Sequence, residues 1–393
     1  MSHVDQHGFD NQRAWIGAAA AARILGVKPA TLYAYVSRGL VRRLRLPGPG
    51  RRLVYAREDV ERLRARSGAR SGHAPVAAGA LRWGEPVLES ALTEITPDGP
   101  RYRGRTLEEL AGARFEAVAE LLFGGTLPDE PPRWPPPLGL DAAWDLVPRG
   151  TPPLLALGAL VPVLGLTNAA RGAGELDRAR SLIRTMAAGL ALGRDRRAAR
   201  AALAAPSVAE AAARALGGDP RRIELILVLA ADHELNASSF TARIAASAGA
   251  DLFACVTAAL GTMSGPLHGA ASERAAALLD EVRRPARAGT VVRARLARGD
   301  ALPGFGHPLY PAGDPRARLL LAAYPSRLVE AIARASGEAP NVDAGLVSAT
   351  AGLPPGSAAG LFALGRTAGW IAHALEQRAQ GFLLRPRARY VGA

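Results

Sequence analysis

The side chains most suited to chemistry in this 393-residue chain are four histidines, His233, His268, His307 and His373, all in its C-terminal four fifths. Three of them sit in distinctive contexts: Asp232-His233-Glu234-Leu235-Asn236, Gly265-Pro266-Leu267-His268-Gly269 and Gly304-Phe305-Gly306-His307. A fourth polar segment, Pro340-Asn341-Val342-Asp343, supplies a carboxylate. A histidine beside glycine lies where the backbone can approach a ligand closely. A lone histidine is more often structural than catalytic, but three in Gly-flanked or polar settings are harder to dismiss together. His233-Glu234 has the start of a zinc-protease helix, but position 237 is Ala, so the second ligand is missing. The single cysteine, Cys255, excludes a disulfide framework and a cysteine-built zinc site. No metal site is expected.

The elements that must position these groups are helical. From residue 81 onward the chain is apolar, and stretches such as Glu175–Leu192 and Val208–Leu216 hold helix formers with few β-branched residues. Pro128–Pro137 cannot be helix and reads as a loop. Half the residues are apolar, enough for a large core, so a disordered or fibrous chain is excluded. No apolar run reaches the roughly 20 residues of a membrane span. The first 13 residues lack the apolar stretch of a signal peptide. A cytoplasmic protein without a membrane partner is expected.

Charge divides the chain. The formal net charge is +14, and residues 1–80 carry +9 of it, from 14 basic and 5 acidic residues. Lys28 is the only lysine. A GC-rich genome explains arginine over lysine, but not the clustering, which is the electrostatic footprint of a nucleic-acid reader. Within 14–66, Ile16–Leu25 reads as a helix stopped by Gly26, and Pro29 as the start of a second helix ending near Arg38. Val41–Leu46 and Arg51–Tyr55 read as strands around the turn Pro47–Gly50, before a third helix with Glu58, Asp59, Val60 and Leu63. Helix–turn–helix plus a basic wing suits one helix in a major groove and a hairpin on phosphate. The candidate DNA contacts are Lys28, Tyr33, Arg38, Arg42, Arg43, Arg45, Arg51 and Arg52. Residues 67–80 are small and polar, a linker.

The stretches AAAAARILGVKPATLYAYVSRGLVRR and RLVYAREDVERLR resemble the MerR/excisionase class of winged helix–turn–helix domains, with Ala56 where a Ser or Asp cap is expected. Residues 81–393 resemble the citrate synthase family. ADHELNASSFTARIAAS, GPLHGAASE, GFGHPLYPAGDPRA, PNVD, FALGRTAGWIAHALEQ and RPRARYVG occur in the family's order.

The resemblance implies a mainly α fold: a large helical domain over 81–267 and 351–393, and a small one over 268–350 that closes on the substrate. It implies condensation of acetyl-CoA with oxaloacetate to give citrate and CoA, with an acyl-CoA as co-substrate and no tightly bound cofactor. Asp343 matches the family's base, His268 the donor to the enolate, and His307 the donor to the keto carbonyl. His233, Arg316 and Arg366 match positions that bind oxaloacetate. Arg385 matches an arginine donated across a homodimer, which implies a shared active site. Planar guanidinium groups suit a dicarboxylate because they can bind each carboxylate through two bonds.

The pattern also departs from the family. Pro311 stands where a basic residue usually meets CoA phosphates, and Gly337, Glu338 and Ala339 replace a second basic position. Ala270 and Ser272 replace Gly and Asn. Arg283, Arg284 and Arg287 are substitutes on charge alone. Two alternatives stand beside citrate formation. One is 2-methylcitrate synthesis from propionyl-CoA, a difference of one methylene worth only about 1–3 kcal/mol in an apolar pocket. The other is a DNA-binding regulator that uses the fold as a metabolite sensor.

Overall fold

The computed structural model describes residues 15–45, 53–68, 88–130, 132–167, 174–388, 390 and 392. They fall into two compact units. One holds the described residues up to Glu89 together with Ala294–Leu302; the other holds Ser90–Arg293 and the described part of Pro303–Ala393.

In the N-terminal part, β1 (Trp15–Gly17) is followed by α1 (Ala18–Leu25), α2 (Pro29–Ser37), β2 (Arg43–Arg45), β3 (Leu53–Ala56) and α3 (Arg57–Gly68). Strand β3 is central and antiparallel to both neighbours, with Ile16 opposite Tyr55 and Leu44 opposite Val54. The expected helix over Ile16–Leu25 therefore starts two residues late: Ile16 is β-branched and is buried as a strand residue. Gly26, at φ 66°, ends α1, and Pro29 occupies the first turn of α2. Ile16, Ala21, Ala22, Leu32, Val41, Tyr55 and Val60 form the core. Ala56, which has no side-chain acceptor, precedes α3, and two acids, Glu58 and Asp59, lie in the first turn, where they suit the helix dipole.

The larger unit opens with a three-stranded antiparallel sheet, β4 (Thr93–Thr96), β5 (Gly99–Tyr102) and β6 (Arg105–Thr106). Helices follow: α4 (Leu107–Leu110), α5 (Phe115–Gly124), α6 (Pro153–Leu166), α7 (Glu175–Gly189), α8 (Arg196–Ala202), α9 (Val208–Leu216) and α10 (Pro220–Ala230). Then come α11 (Ala237–Ser247), α12 (Leu252–Met263), α13 (Ala271–Val282), α14 (Ala288–Arg298), α15 (Pro315–Ala323), α16 (Arg327–Ser336), α17 (Val342–Ala349) and α18 (Ser357–Gln380). The described residues of Pro128–Pro137 form neither helix nor strand. Among the described residues no helix is long and apolar enough to cross a membrane.

The 24-residue α18 is buried along most of its length, as expected for the centre of a helical layer. Its glycines permit close approach to α10 and the segment after it. A Cβ on Gly365 would lie 2.8 Å from the Leu227 carbonyl oxygen, and one on Gly369 only 2.3 Å from Asp232 Oδ1. This contact brings Arg366 alongside His233.

Candidate active site

His233 lies just beyond the end of α10, buried, with Nε2 2.9 Å from Tyr310 Oη. Asp232 anchors the backbone beneath it. Its carboxylate accepts from Thr93 Oγ1 at 2.6 Å and from the Glu234 amide at 3.2 Å, and lies 3.4 Å from His373 Nε2. Burial drives the His233 pKa well below the usual imidazole range, and the nearby Arg316 and Arg366 push it further down, so the ring is neutral.

His268 sits between α12 and α13. Gly269 behind it packs onto Met263, whose backbone oxygen would be 2.8 Å from any Cβ there. His268 Nε2 is 2.8 Å from Ser238 Oγ, which also accepts from Trp370 Nε1 at 3.0 Å. Ser238 Oγ is also 2.8 Å from Asn236 Oδ1, an acceptor for its single hydrogen; when that hydrogen turns to His268 Nε2 instead, the ring hydrogen lies on Nδ1, where it can serve as a donor. Burial, with Arg366 nearby, lowers the His268 pKa to about 4, so this imidazole is neutral too.

His307 is held by a tight loop. Its Nδ1 accepts from the Leu309 amide at 3.2 Å, which leaves Nε2 as the protonated nitrogen of the neutral ring. The loop pairs with the segment before α17: the Gly306 amide donates to Ala339 O, the Asn341 amide to Gly304 O, and Asn341 Nδ2 to Gly306 O at 2.9 Å. Gly304, at φ 89°, is wedged between Ala275 and Ala344, where a Cβ would lie 3.0 and 3.2 Å from theirs. Asn341 also caps α17, its Oδ1 accepting from the Asp343 amide at 3.0 Å. Asp343 is thereby fixed in the first turn of α17. Burial raises its carboxyl to about 7; Asp314 adds to the rise, while Arg316 and Arg274 oppose it.

Asp-Pro-Arg opens α15, with Asp314 as cap and Pro315 in the first turn. Arg316 is buried and directs Nε and Nη2 at Asp314, at 3.0 and 2.8 Å. Asp314 also accepts from the Val342 amide at 3.0 Å. One edge of the Arg316 guanidinium is thus committed inside the protein, so a substrate carboxylate would meet the other edge. Arg366, equally buried, donates from Nε to Ala230 O at 2.6 Å, while its Nη2 is buried without a protein partner. Such a group is costly to leave unsatisfied, and a bound anion would satisfy it. Burial lowers Arg366 to about 10, still a cation at neutral pH.

Six of the seven expected side chains therefore belong to one neighbourhood. The seventh does not: Arg385 is exposed in the segment after α18. Sequence reasoning missed Ser238, Tyr310, Asp314, Asn341 and Trp370 as supporting residues. All five lie inside the quoted segments, but their partners come from distant parts of the chain. In the N-terminal part, Lys28, Tyr33, Arg38 and Arg43 are exposed. Arg42 is engaged: its amide and Nε both donate to Asp59 Oδ2 at 2.9 Å, and Glu58 is 3.5 Å away. Arg45 lies in β2, and Arg51 and Arg52 lie outside the described residues.

Comparison with known proteins places this arrangement. Residues 80–387 match the family model for the citrate synthase C-terminal domain, and residues 15–67 match a helix–turn–helix domain. A citrate synthase of Haloferax volcanii is 33% identical over 356 residues, covering 78% of this chain and 93% of that protein. A 2-methylcitrate synthase of Shewanella oneidensis is 36% identical over 187 residues, 43% of this chain and 50% of that one. Matches to curated relatives from Mycobacterium tuberculosis and Bacillus subtilis likewise run over about half of those proteins, 52% and 53%. Among solved structures, a Thermoplasma acidophilum citrate synthase in ternary complex with carboxymethyl coenzyme A and oxaloacetate superposes with a TM-score of 0.66 at 25% identity, covering 78% of this chain and 94% of that one. The chain belongs to the citrate synthase family and carries a helix–turn–helix domain ahead of the family's fold.

Proposed function

We propose that this chain condenses acetyl-CoA with oxaloacetate to give citrate and CoA. The observation that carries this reading is the convergence of three neutral or donor imidazoles, two buried guanidinium groups and one carboxylate raised to about 7. Asp343 as carboxylate takes a proton from the methyl carbon of the thioester, a task suited to a base near neutrality. His268 donates from Nδ1 to the developing enolate oxygen, and its low pKa keeps it a neutral donor. The enolate carbon bonds to the keto carbon of oxaloacetate while His307 Nε2–H donates a hydrogen bond to the forming alkoxide, and the proton that Asp343 removed balances the one that completes the hydroxyl. Water then cleaves the citryl thioester, the carboxylate leaves as citrate, and the CoA sulfur departs as thiol. Arg316 and Arg366 draw the dicarboxylate to the site by their buried positive charge.

Several parts of the reading concern assembly. Residues 268–350 would act as a small domain that closes on 81–267 and 351–393, excluding water from the thioester. A second copy would bring its Arg385 to the site. Support comes from α6, which is apolar all round yet leaves Leu155 and Leu166 exposed at 54% and 79%, as a covered face would be. The exposed basic residues of the helix–turn–helix part support DNA as a partner, in the cytoplasm.

A thiol-release assay with oxaloacetate tests the reading, comparing acetyl-CoA with propionyl-CoA. Faster release from acetyl-CoA, abolished in Asp343→Ala, is expected. Preference for propionyl-CoA would make the product 2-methylcitrate. Binding of oxaloacetate without thiol release from either donor would make the fold a sensor.

A further inference from the structure

None of the roles above belongs to Tyr310, yet it touches three of the residues that hold them. Its Oη is 2.9 Å from His233 Nε2. Its ring lies on His307 at 31°, with centroids 4.9 Å apart. The Arg316 guanidinium carbon stands 5.9 Å over its face. His233 follows α10, His307 sits in the glycine loop and Arg316 in α15, so one side chain joins three segments distant in sequence. The two imidazoles face each other edge-on at 5.9 Å, each in ring contact with the tyrosine.

The backbone fixes the phenol as firmly as its neighbours do. Tyr310 lies between Pro308-Leu309 and Pro311. Its amide donates to His307 O at 3.1 Å, closing the turn that folds the ring back over His307. Its carbonyl accepts from the Gly313 amide at 3.0 Å. Pro311 confines Tyr310 to extended backbone, so a residue that breaks the family's basic pattern also stiffens this turn. The side chain is buried, and burial raises the phenol's pKa, so the hydroxyl keeps its proton across the working pH range. A buried hydroxyl and a buried imidazole nitrogen that meet at hydrogen-bond distance hold each other's orientation, because no water replaces either partner.

We infer that Tyr310 is a positioning residue: its hydroxyl fixes the ring of His233 and its face fixes the ring of His307, so that the keto acid meets both imidazoles in one register. The inference rests on the condensation reading for what is positioned. The contact itself does not depend on that reading, and the experiment separates the two.

Full-length wild type, Tyr310→Phe and Tyr310→Leu are compared in two measurements. The first is thiol release with oxaloacetate varied at saturating acetyl-CoA. The second is the ring-nitrogen NMR of the histidines without substrate. Tyr310→Phe keeps the stack and loses the bond, so KM for oxaloacetate should rise by about 5–50-fold while kcat falls much less. Tyr310→Leu also frees the His307 ring, so kcat should fall in addition, by about 10–100-fold. In Tyr310→Phe the His233 Nε2 resonance should move and that of His268 should not, a pattern that general loosening would not produce. A KM within twofold of wild type, or an unmoved His233 resonance in Tyr310→Phe, overturns the inference. If wild type releases no thiol, the condensation reading falls, and the His233 resonance alone then decides whether Tyr310 holds that ring.

Discussion

Asp343 shows how far a residue's identity is from its chemistry. PNVD marks the carboxylate in the sequence, but its pKa of about 7 is made by burial and by Asp314, with Arg316 and Arg274 pulling the other way. Those neighbours come from other segments, and four letters cannot disclose them. The rate should follow the ionised fraction: kcat/KM for acetyl-CoA should rise with pH, bend near 7, and fall about tenfold per unit below that. A pH–rate profile flat from 5.5 to 8 would remove Asp343 from the role of base. The same shift bears on stability with a definite sign. The folded pKa lies above the unfolded value, so the folded state binds this proton more tightly. The ionised group therefore costs stability, increasingly from about pH 4 to pH 7, and fully above. Asp343→Asn should be inactive yet more stable at pH 8 by about 1–3 kcal/mol, with the difference vanishing near pH 4. Urea unfolding at the two pH values measures it.

Elements were more legible than contacts. The helix Val208–Leu216 lies where its alanine-rich pattern puts it, and Glu175 does open a helix, although that helix ends at Gly189. Ile16 was misplaced because pairing with Tyr55 is a long-range fact that local pattern does not contain. What no pattern showed is how Asn341 joins two elements, capping α17 with Oδ1 and tethering the His307 loop with Nδ2. These functions separate by substitution. Asn341→Ser keeps a cap and loses the tether, so stability should stay within about 0.5 kcal/mol while kcat falls by about 10-fold or more. Asn341→Ala loses both and should cost about 1 kcal/mol as well. Equal thermal stability of the two variants would contradict the capping role. Gly369 gives the matching test between α10 and α18. Alanine there would place a Cβ 2.6 Å from Ala231 O and 2.3 Å from Asp232 Oδ1. It should destabilise the protein by about 1–3 kcal/mol and weaken oxaloacetate binding, because Arg366 and His233 separate.

Taken over the whole chain, the distribution of charge says more than its sum. The residues carrying +9 cluster in the first fifth, and those carrying +5 include the buried Arg316 and Arg366 of the candidate active site. Within the basic part, sequence treats every arginine as equal, and the structure does not. Arg42 is folded into an ion pair with Asp59, whose side chain is nearly buried, whereas Arg43 is exposed in the wing. Arg43→Ala in the full chain should leave thermal stability and thiol release as they are and make the salt dependence of DNA affinity shallower by about one unit of log K per log salt. Arg42→Ala instead removes an ion pair from a nearly buried carboxylate, and should lower the melting temperature of the N-terminal part. Fluorescence anisotropy on a duplex across a potassium chloride series reads the first effect, and thermal unfolding reads the second. Affinity independent of salt would exclude phosphate contact and leave the basic clustering to composition. A salt slope unchanged by Arg43→Ala would move the contact from Arg43 to the other basic candidates, among them Lys28 and Arg38 at the two ends of α2.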